Sequence, residues 1–193
     1  MSDPDREAAQ LQFFQRAFKY VTDWSIAIDG GANRGNWTAV MADKFAIVYA
    51  FEPAKDLINP LRMRFDGCGS VTVRHAALWF QAAQVSLLPD PVHPAKIYGR
   101  YVQPGGNIEA IAIDDLELPS CGLIKLDLEG AEMPALEGAE RTLMRHHPVV
   151  VCECKSMAAR FGASAEDPGI FLGEIGYREI ARQKPDRIYA WKA

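Results

Sequence analysis

Two periods of apolar residues alternate along the chain. Leu11, Phe13, Phe14, Ala17, Phe18 and Val21 recur at mixed three and four spacing, which predicts an amphipathic helix within residues 6–22. Short apolar runs follow, and Ser25–Ile28, Ala46–Phe51, Val71–Arg74, Leu123–Asp127 and Pro148–Glu153 read as strands. Helical patterns lie between them, from about Asn36 to Lys44 and through Leu136, Ala139 and Leu143. Asn59-Pro60 reads as an N-cap with proline at the first helical position. Asp114-Asp115-Leu116 can start a short helix, Phe171 to Ile175 is helical in pattern, and Tyr177–Ile180 with Arg187–Trp191 form a terminal strand pair. Strands alternating with helices predict a doubly wound α/β domain with a mainly parallel sheet. The near-continuous apolar strand at Pro148–Glu153 is what a sheet covered on both faces requires.

One stretch breaks this rhythm. From Leu78 to Ile113 apolar and polar residues alternate, punctuated by Pro89, Pro91, Pro94, Pro104 and Gly105-Gly106. Short antiparallel strands or a lid-like excursion fit that pattern better than a helix. No internal repeat or low-complexity linker is visible, so the expectation is one domain over residues 1–193. Within it, residues 1–24 form an N-terminal helical segment and 78–113 a strand and loop excursion.

Composition narrows the class. The chain is 49% hydrophobic and 24% charged, which excludes a disordered or collagen-like chain. Net charge is −4 and the positives are scattered, so bulk nucleic-acid binding is not expected. Cys68, Cys121, Cys152 and Cys154 include no CxxC pair, and read as reduced thiols rather than metal ligands. The first seven residues carry no apolar leader core, and no apolar run approaches the ~20 residues of a membrane span. The expected setting is cytoplasmic, with no membrane partner, as a monomer or homo-oligomer.

Chemistry concentrates where the strands end. Residues 30–35 read Gly-Gly-Ala-Asn-Arg-Gly, a near miss to the dinucleotide fingerprint, with Ala32 at the position where glycine lets a pyrophosphate approach. Glu52 lies 22 residues past Gly30, at the right distance to accept from ribose hydroxyls, and Pro53 holds it on extended backbone. A ribose acid beside a turn poorly suited to pyrophosphate points to S-adenosylmethionine, with its amino-acid end over Gly31 to Gly35 and Asp29 receiving its ammonium. A second cluster, Asp127, Glu129 and Glu132, follows the fourth strand. Helix N-terminal electrostatics account for Glu132, and less well for Asp127. Lys125 lies within that strand, where lysine is rarely buried unpaired, so a partner among Asp127, Glu153 and Glu129 is expected.

Taken together, these segments resemble the FkbM-type family of S-adenosylmethionine-dependent methyltransferases. The matching stretches are Ile28–Thr38, Ala50–Pro53, His75–Leu78, Ile113–Leu116, Ile124–Glu132 and Val149–Glu153. Lys-x-Asp-x-Glu-Gly-Ala-Glu is the most specific of them. The resemblance implies a Rossmann-like class I methyltransferase fold, with a seven-stranded sheet, an antiparallel last strand and helices on both faces. It also implies O-methylation of a hydroxyl on a small metabolite or sugar. Asp29, Gly30, Gly31, Ala32, Asn33 and Gly35 would hold the methionine part, Glu52 with Pro53 the ribose, and His75, Ala76 and Ala77 the adenine. Asp127 would lie beside the sulfonium.

Asp127 or Glu129 is the expected acceptor-side carboxylate, supported by Glu153, with His75 as an alternative base. Mg²⁺ held by Asp127, Glu129 and Glu153 is chemically feasible but not expected. His146 and His147 read as a helix C-terminal cap and His93 as loop surface. Two other functions compete: a nicotinamide-dependent oxidoreductase, and a non-catalytic cofactor-fold module that binds a protein partner.

Overall fold

The computed structural model describes residues 4–91 and 99–192. His93 and Pro94 lie outside the described residues. Along the chain come α1 (Pro4–Phe14), a 3-10 turn at Gln15–Tyr20, β1 (Ile26–Gly30), α2 (Asn36–Ala42), β2 (Ile47–Phe51), α3 (Lys55–Arg64) and β3 (Val71–Arg74). Four short strands follow: β4 (Ala77–Leu78), β5 (Ala83–Leu88), β6 (Tyr101–Pro104) and β7 (Ile108–Ile111). A 3-10 turn at Ile113–Leu116 leads to β8 (Leu123–Leu126), α4 (Glu132–Glu137), α5 (Glu140–His146) and β9 (Val149–Glu153). The chain ends with a 3-10 turn at Ser156–Phe161, α6 (Asp167–Glu174), β10 (Tyr177–Gln183) and β11 (Asp186–Trp191).

Seven strands form one sheet in the order β10-β11-β9-β8-β1-β2-β3. The pairs from β9 to β3 are all parallel, whereas β11 runs antiparallel to both of its neighbours. The α/β class and the antiparallel last strand are as expected. The excursion is a second sheet, β4-β7-β5-β6, antiparallel except where β4 pairs with β7.

Side chains alternate across the main sheet with period two. Ile28, Ile124, Val150 and Cys152 pack on one face with Leu136, Leu143 and Tyr177. Ala27, Leu123, Val149 and Val151 pack on the other with Phe13, Phe14, Met41 and Phe45. Continuing the second face to the carboxyl ends brings Asp29, Lys125 and Glu153, which are buried and charged. The apolar ladder therefore ends in a polar rung.

Several boundaries differ from the pattern reading. The N-terminal helix is already formed at Pro4, the first described residue, and tightens to a 3-10 turn after Phe14. α3 starts five residues before Pro60, which sits inside it. Leu57, Ile58 and Leu61 bury one face of α3, and that packing outweighs the amide donor that proline lacks. The helix expected through Leu136 and Leu143 is two helices broken at Gly138, whose missing Cβ leaves room for the Trp79 carbonyl 2.1 Å from where that atom would stand. α6 begins at Asp167, with Pro168 in its first turn. All four cysteines are free. No helix of the described residues is long and apolar enough to cross a membrane.

Candidate functional site

The carboxyl ends of β1, β2, β3 and β8 open into a cleft, the position where parallel α/β sheets bind ligands. Gly31, Asn33, Glu52, Pro53, Ala54, Leu57, Ala76, Ala77, Asp127 and Glu129 line it, and Leu87 and Val102 of the second sheet close it together with Arg100, in the loop before β6.

The turn after β1 is tied to β2. Gly31 and Ala32 both donate their amides to the Phe51 carbonyl, at 3.0 and 2.9 Å. Gly31 has φ +72°, and a Cβ there would stand 2.0 Å from the Asp127 carbonyl oxygen, so the two strand-end loops meet because the residue is glycine. Asn33 takes φ 52°, a conformation asparagine tolerates better than most residues. Glu52 is 6% exposed, and its two oxygens accept from the Asn33 and Ala54 amides, each at 2.8 Å. Burial raises the Glu52 pKa, and these two amides pull it partly back. Each oxygen keeps a lone pair, and Asn33 Oδ1 is buried without a hydrogen-bond partner among the described residues.

Ala32 sits differently from its reading. Its methyl is 1% exposed and clusters with Ala50 and Leu61, so it faces the core and not the position of a pyrophosphate. Asp29 is fully buried: Oδ2 accepts from Thr38 at 2.6 Å and Oδ1 faces Lys125 Nζ at 3.0 Å. Lys125 is ion-paired as expected, but its partner is Asp29, its register neighbour across β1 and β8, rather than one of the three acids named from sequence. It also donates to the Gly30 and Gly31 carbonyls, at 3.1 Å each. Its pKa falls by burial, yet Asp29 and Asp127 outweigh that and hold it above the usual value. His75 lies beside the cleft, with Nε2 3.1 Å from the Pro53 carbonyl.

Beyond β8 the acids surround a lysine. Lys155 Nζ contacts Glu153 Oε2, lies 3.1 Å from Glu129 Oε2, and lies 3.9 Å from Asp127 Oδ1. Burial lowers the Lys155 pKa, but Asp127, Glu153 and Glu129 together hold it above normal. Burial also pushes Asp127 up, while a hydrogen bond from Glu153 and the cations Lys125 and Lys155 bring it below the usual carboxylate value. Glu153 moves the other way, raised by burial and by Asp127 against the opposing pull of the Lys155 ammonium. Glu132, 2% exposed at the start of α4, is pushed up to about 7 by burial while accepting from the Leu128 and Gly130 amides. Asp127, Glu132 and Glu153 each bring one oxygen within 4.8 Å of the others.

The structure thus gathers Asp127, Glu129 and Glu153 around one ammonium, and places Glu52, Gly31, Asn33, Ala76 and Ala77 on one cleft. Sequence reading missed Lys155 and Arg100. Nothing in the local pattern marks a lysine two residues past a strand end, or an arginine in a loop, as facing a site in another part of the chain.

Comparison with known proteins gives this arrangement a family. Residues 29–179 match the methyltransferase FkbM domain. The chain belongs to the FkbM methyltransferase family. The hexuronic acid methyltransferase AglP of Haloferax volcanii is 28% identical over 128 residues, covering 64% of this chain and 53% of that protein. The chain therefore spans about half the length of the curated relative it matches. Among solved structures, FkbM methyltransferase from Methylobacillus flagellatus KT superposes with TM-score 0.55 at 20% identity, over 88% of this chain and 44% of that one. A Streptococcus mutans protein solved in complex with SAH gives TM-score 0.51 at 13% identity, over 98% and 97% of the two chains. These likenesses show the class I methyltransferase fold, and FkbM membership covers every cleft residue named above.

Proposed function

We propose that this FkbM protein is an S-adenosylmethionine-dependent O-methyltransferase acting on a hydroxyl of a small metabolite or sugar. The observation that carries the proposal is the cleft itself. Glu52 anchors the turn amides and keeps acceptor capacity, Asn33 presents an unpartnered oxygen, and Asp127 stands at the far end. Those groups fit an adenosine with a cationic tail: Glu52 for the ribose hydroxyls, Pro53, Ala54, Ala76 and Ala77 for the adenine, and Gly31 with Asn33 for the amino-acid end. Asp29, with both oxygens engaged, acts by fixing the turn through Thr38 and Lys125. When bound, the cofactor supplies a methyl group on a positively charged sulfur.

Asp127 accepts the hydrogen bond of the acceptor hydroxyl and so orients its oxygen for in-line attack. As the new O–C bond formed and the methyl–sulfur bond broke, its electron pair going to the neutral sulfur of the departing thioether, that oxygen would become positively charged and strongly acidic. A weak base then suffices, which reconciles the lowered Asp127 pKa with proton removal. The proton passes to Asp127 and on to solvent, while the Glu153 hydrogen bond and the Lys125 and Lys155 ammonium groups favour the ionised form of Asp127 between turnovers. Lys155 stands against Glu129, Glu153 and Asp127, where a divalent cation would bind, so the reaction is expected to need no Mg²⁺. Turnover unchanged by EDTA supports this; loss of turnover restored by Mg²⁺ overturns it. The direct test of the whole function is an Asp127→Asn variant assayed with labelled cofactor. Retained SAH affinity with turnover down by about 100-fold or more is expected for loss of a general base, and unchanged turnover refutes the role.

A further inference from the structure

The cleft is not the only concavity at the carboxyl ends of the strands. On the opposite face of the sheet, Gln10, Phe13, Phe14, Trp37, Glu153 and Asp186 line a second cavity together with Lys125 and Asp127. Its floor is the polar rung of the main sheet, extended by Asp186, which pairs in register with Glu153. Its roof is α1 and the start of α2, where the Phe14 and Trp37 rings lie 5.1 Å apart. Asp127 belongs to both concavities, so they meet at the residue that orients the reacting oxygen.

We infer that this second cavity binds the methyl acceptor, and that the acceptor is a neutral, polyhydroxylated ring rather than an acidic one. The inference rests on the methyltransferase reading of the cleft. The described lining offers the two things a sugar ring needs: aromatic faces for its C–H side, and carboxyl and amide groups for its hydroxyls. Gln10 and Asp186 line the cavity beside the polar rung. The charge balance decides against an acid. Asp127, Glu153 and Asp186 face the cavity, and Lys125, its one described basic lining residue, is committed to Asp29 and two backbone carbonyls. Lys155 touches Asp127 and Glu153 from beside the cavity and is held by them and by Glu129. Among the described residues, a carboxylate placed here would meet Asp127 and Asp186 while Lys125 and Lys155 are held by other partners, a repulsive arrangement that selects against uronates. The same balance disfavours the α-carboxylate of the cofactor's amino-acid end.

The experiment uses the full chain, SAH calorimetry, and methyl transfer from labelled cofactor to three probes: a neutral methyl hexoside, an amino hexoside and a methyl uronide. The neutral hexoside is expected to be methylated with kcat/KM at least about tenfold above the uronide. Trp37→Ala and the isosteric Asp186→Asn are expected to raise acceptor KM by about tenfold while SAH affinity stays within about twofold of the parent. A preference for the uronide, or SAH binding with transfer to none of the probes, overturns the acceptor assignment. Loss of SAH affinity in the folded Asp186→Asn protein assigns the cavity to the cofactor and also overturns it. Failure of the parent protein to bind SAH would instead refute the methyltransferase reading beneath it.

Discussion

Lys125 and Gly31 show how single residues assemble the site. Lys125 holds Asp29 and the Gly30 and Gly31 carbonyls at once, so one buried cation fixes the path of the turn. Removing one member of a buried pair leaves the other uncompensated, at a cost of about 3–5 kcal/mol. Lys125→Met is therefore expected to lower unfolding stability by that amount in urea, and adding Asp29→Asn to recover part of it; simple additivity of the two losses would contradict the pairing. Gly31→Ala forces a methyl into the Asp127 carbonyl at a positive φ. It is expected to abolish SAH binding, read by calorimetry on whatever fraction stays folded. At this scale the sequence told part of the story. The demand that Lys125 be paired was legible from its place in a strand, but its partner was not, because cross-strand register decides it and no single segment encodes that.

Elements are positioned by groups distant in sequence. The Asp114 carboxylate caps α5: Oδ2 accepts from the Arg141 amide at 2.9 Å, and Oδ1 accepts from the Thr142 amide and hydroxyl at 2.8 and 2.7 Å. Asp114→Ala is expected to cost about 1–2 kcal/mol in thermal or urea unfolding without altering SAH affinity. Glu132 plays a comparable part at the start of α4, at an electrostatic cost. Its carboxyl is near 4.5 unfolded and about 7 folded, so the folded state binds the extra proton between those values. Stability is then fullest below the unfolded value, falls as pH rises towards 7, and is level above it. Glu132→Gln keeps an acceptor for the Leu128 and Gly130 amides and removes the charge. It is expected to stabilise the protein at pH 8 by up to about 3 kcal/mol and by much less at pH 5. An equal effect at both pH values would remove the charge from the explanation. Alternating periods made the strands and the class of fold readable, while α3 began earlier than Asn59-Pro60 implied because burial of Leu57, Ile58 and Leu61 outweighs that local signal, and α6 began earlier than its apolar pattern, at Asp167 with Pro168 in its first turn.

Across the whole molecule, the main sheet divides the work between two faces that meet at Asp127. One face carries the cleft closed by the second sheet; the other carries the cavity roofed by α1 and α2. The acids at the strand ends were visible in sequence as a group, and so was their suitability for a cationic cofactor. What pattern reading could not supply was Lys155 among them, the second cavity, and Arg100 at the rim, since each depends on elements far apart in the chain. The central claim is that the cleft binds S-adenosylmethionine through Glu52, and calorimetric titration of SAH into the parent protein and Glu52→Gln tests it most directly. Saturable binding of one SAH per chain, weakened about tenfold or more in the variant, is the expected result. No SAH binding to the folded protein, or equal affinity in the two, would contradict it.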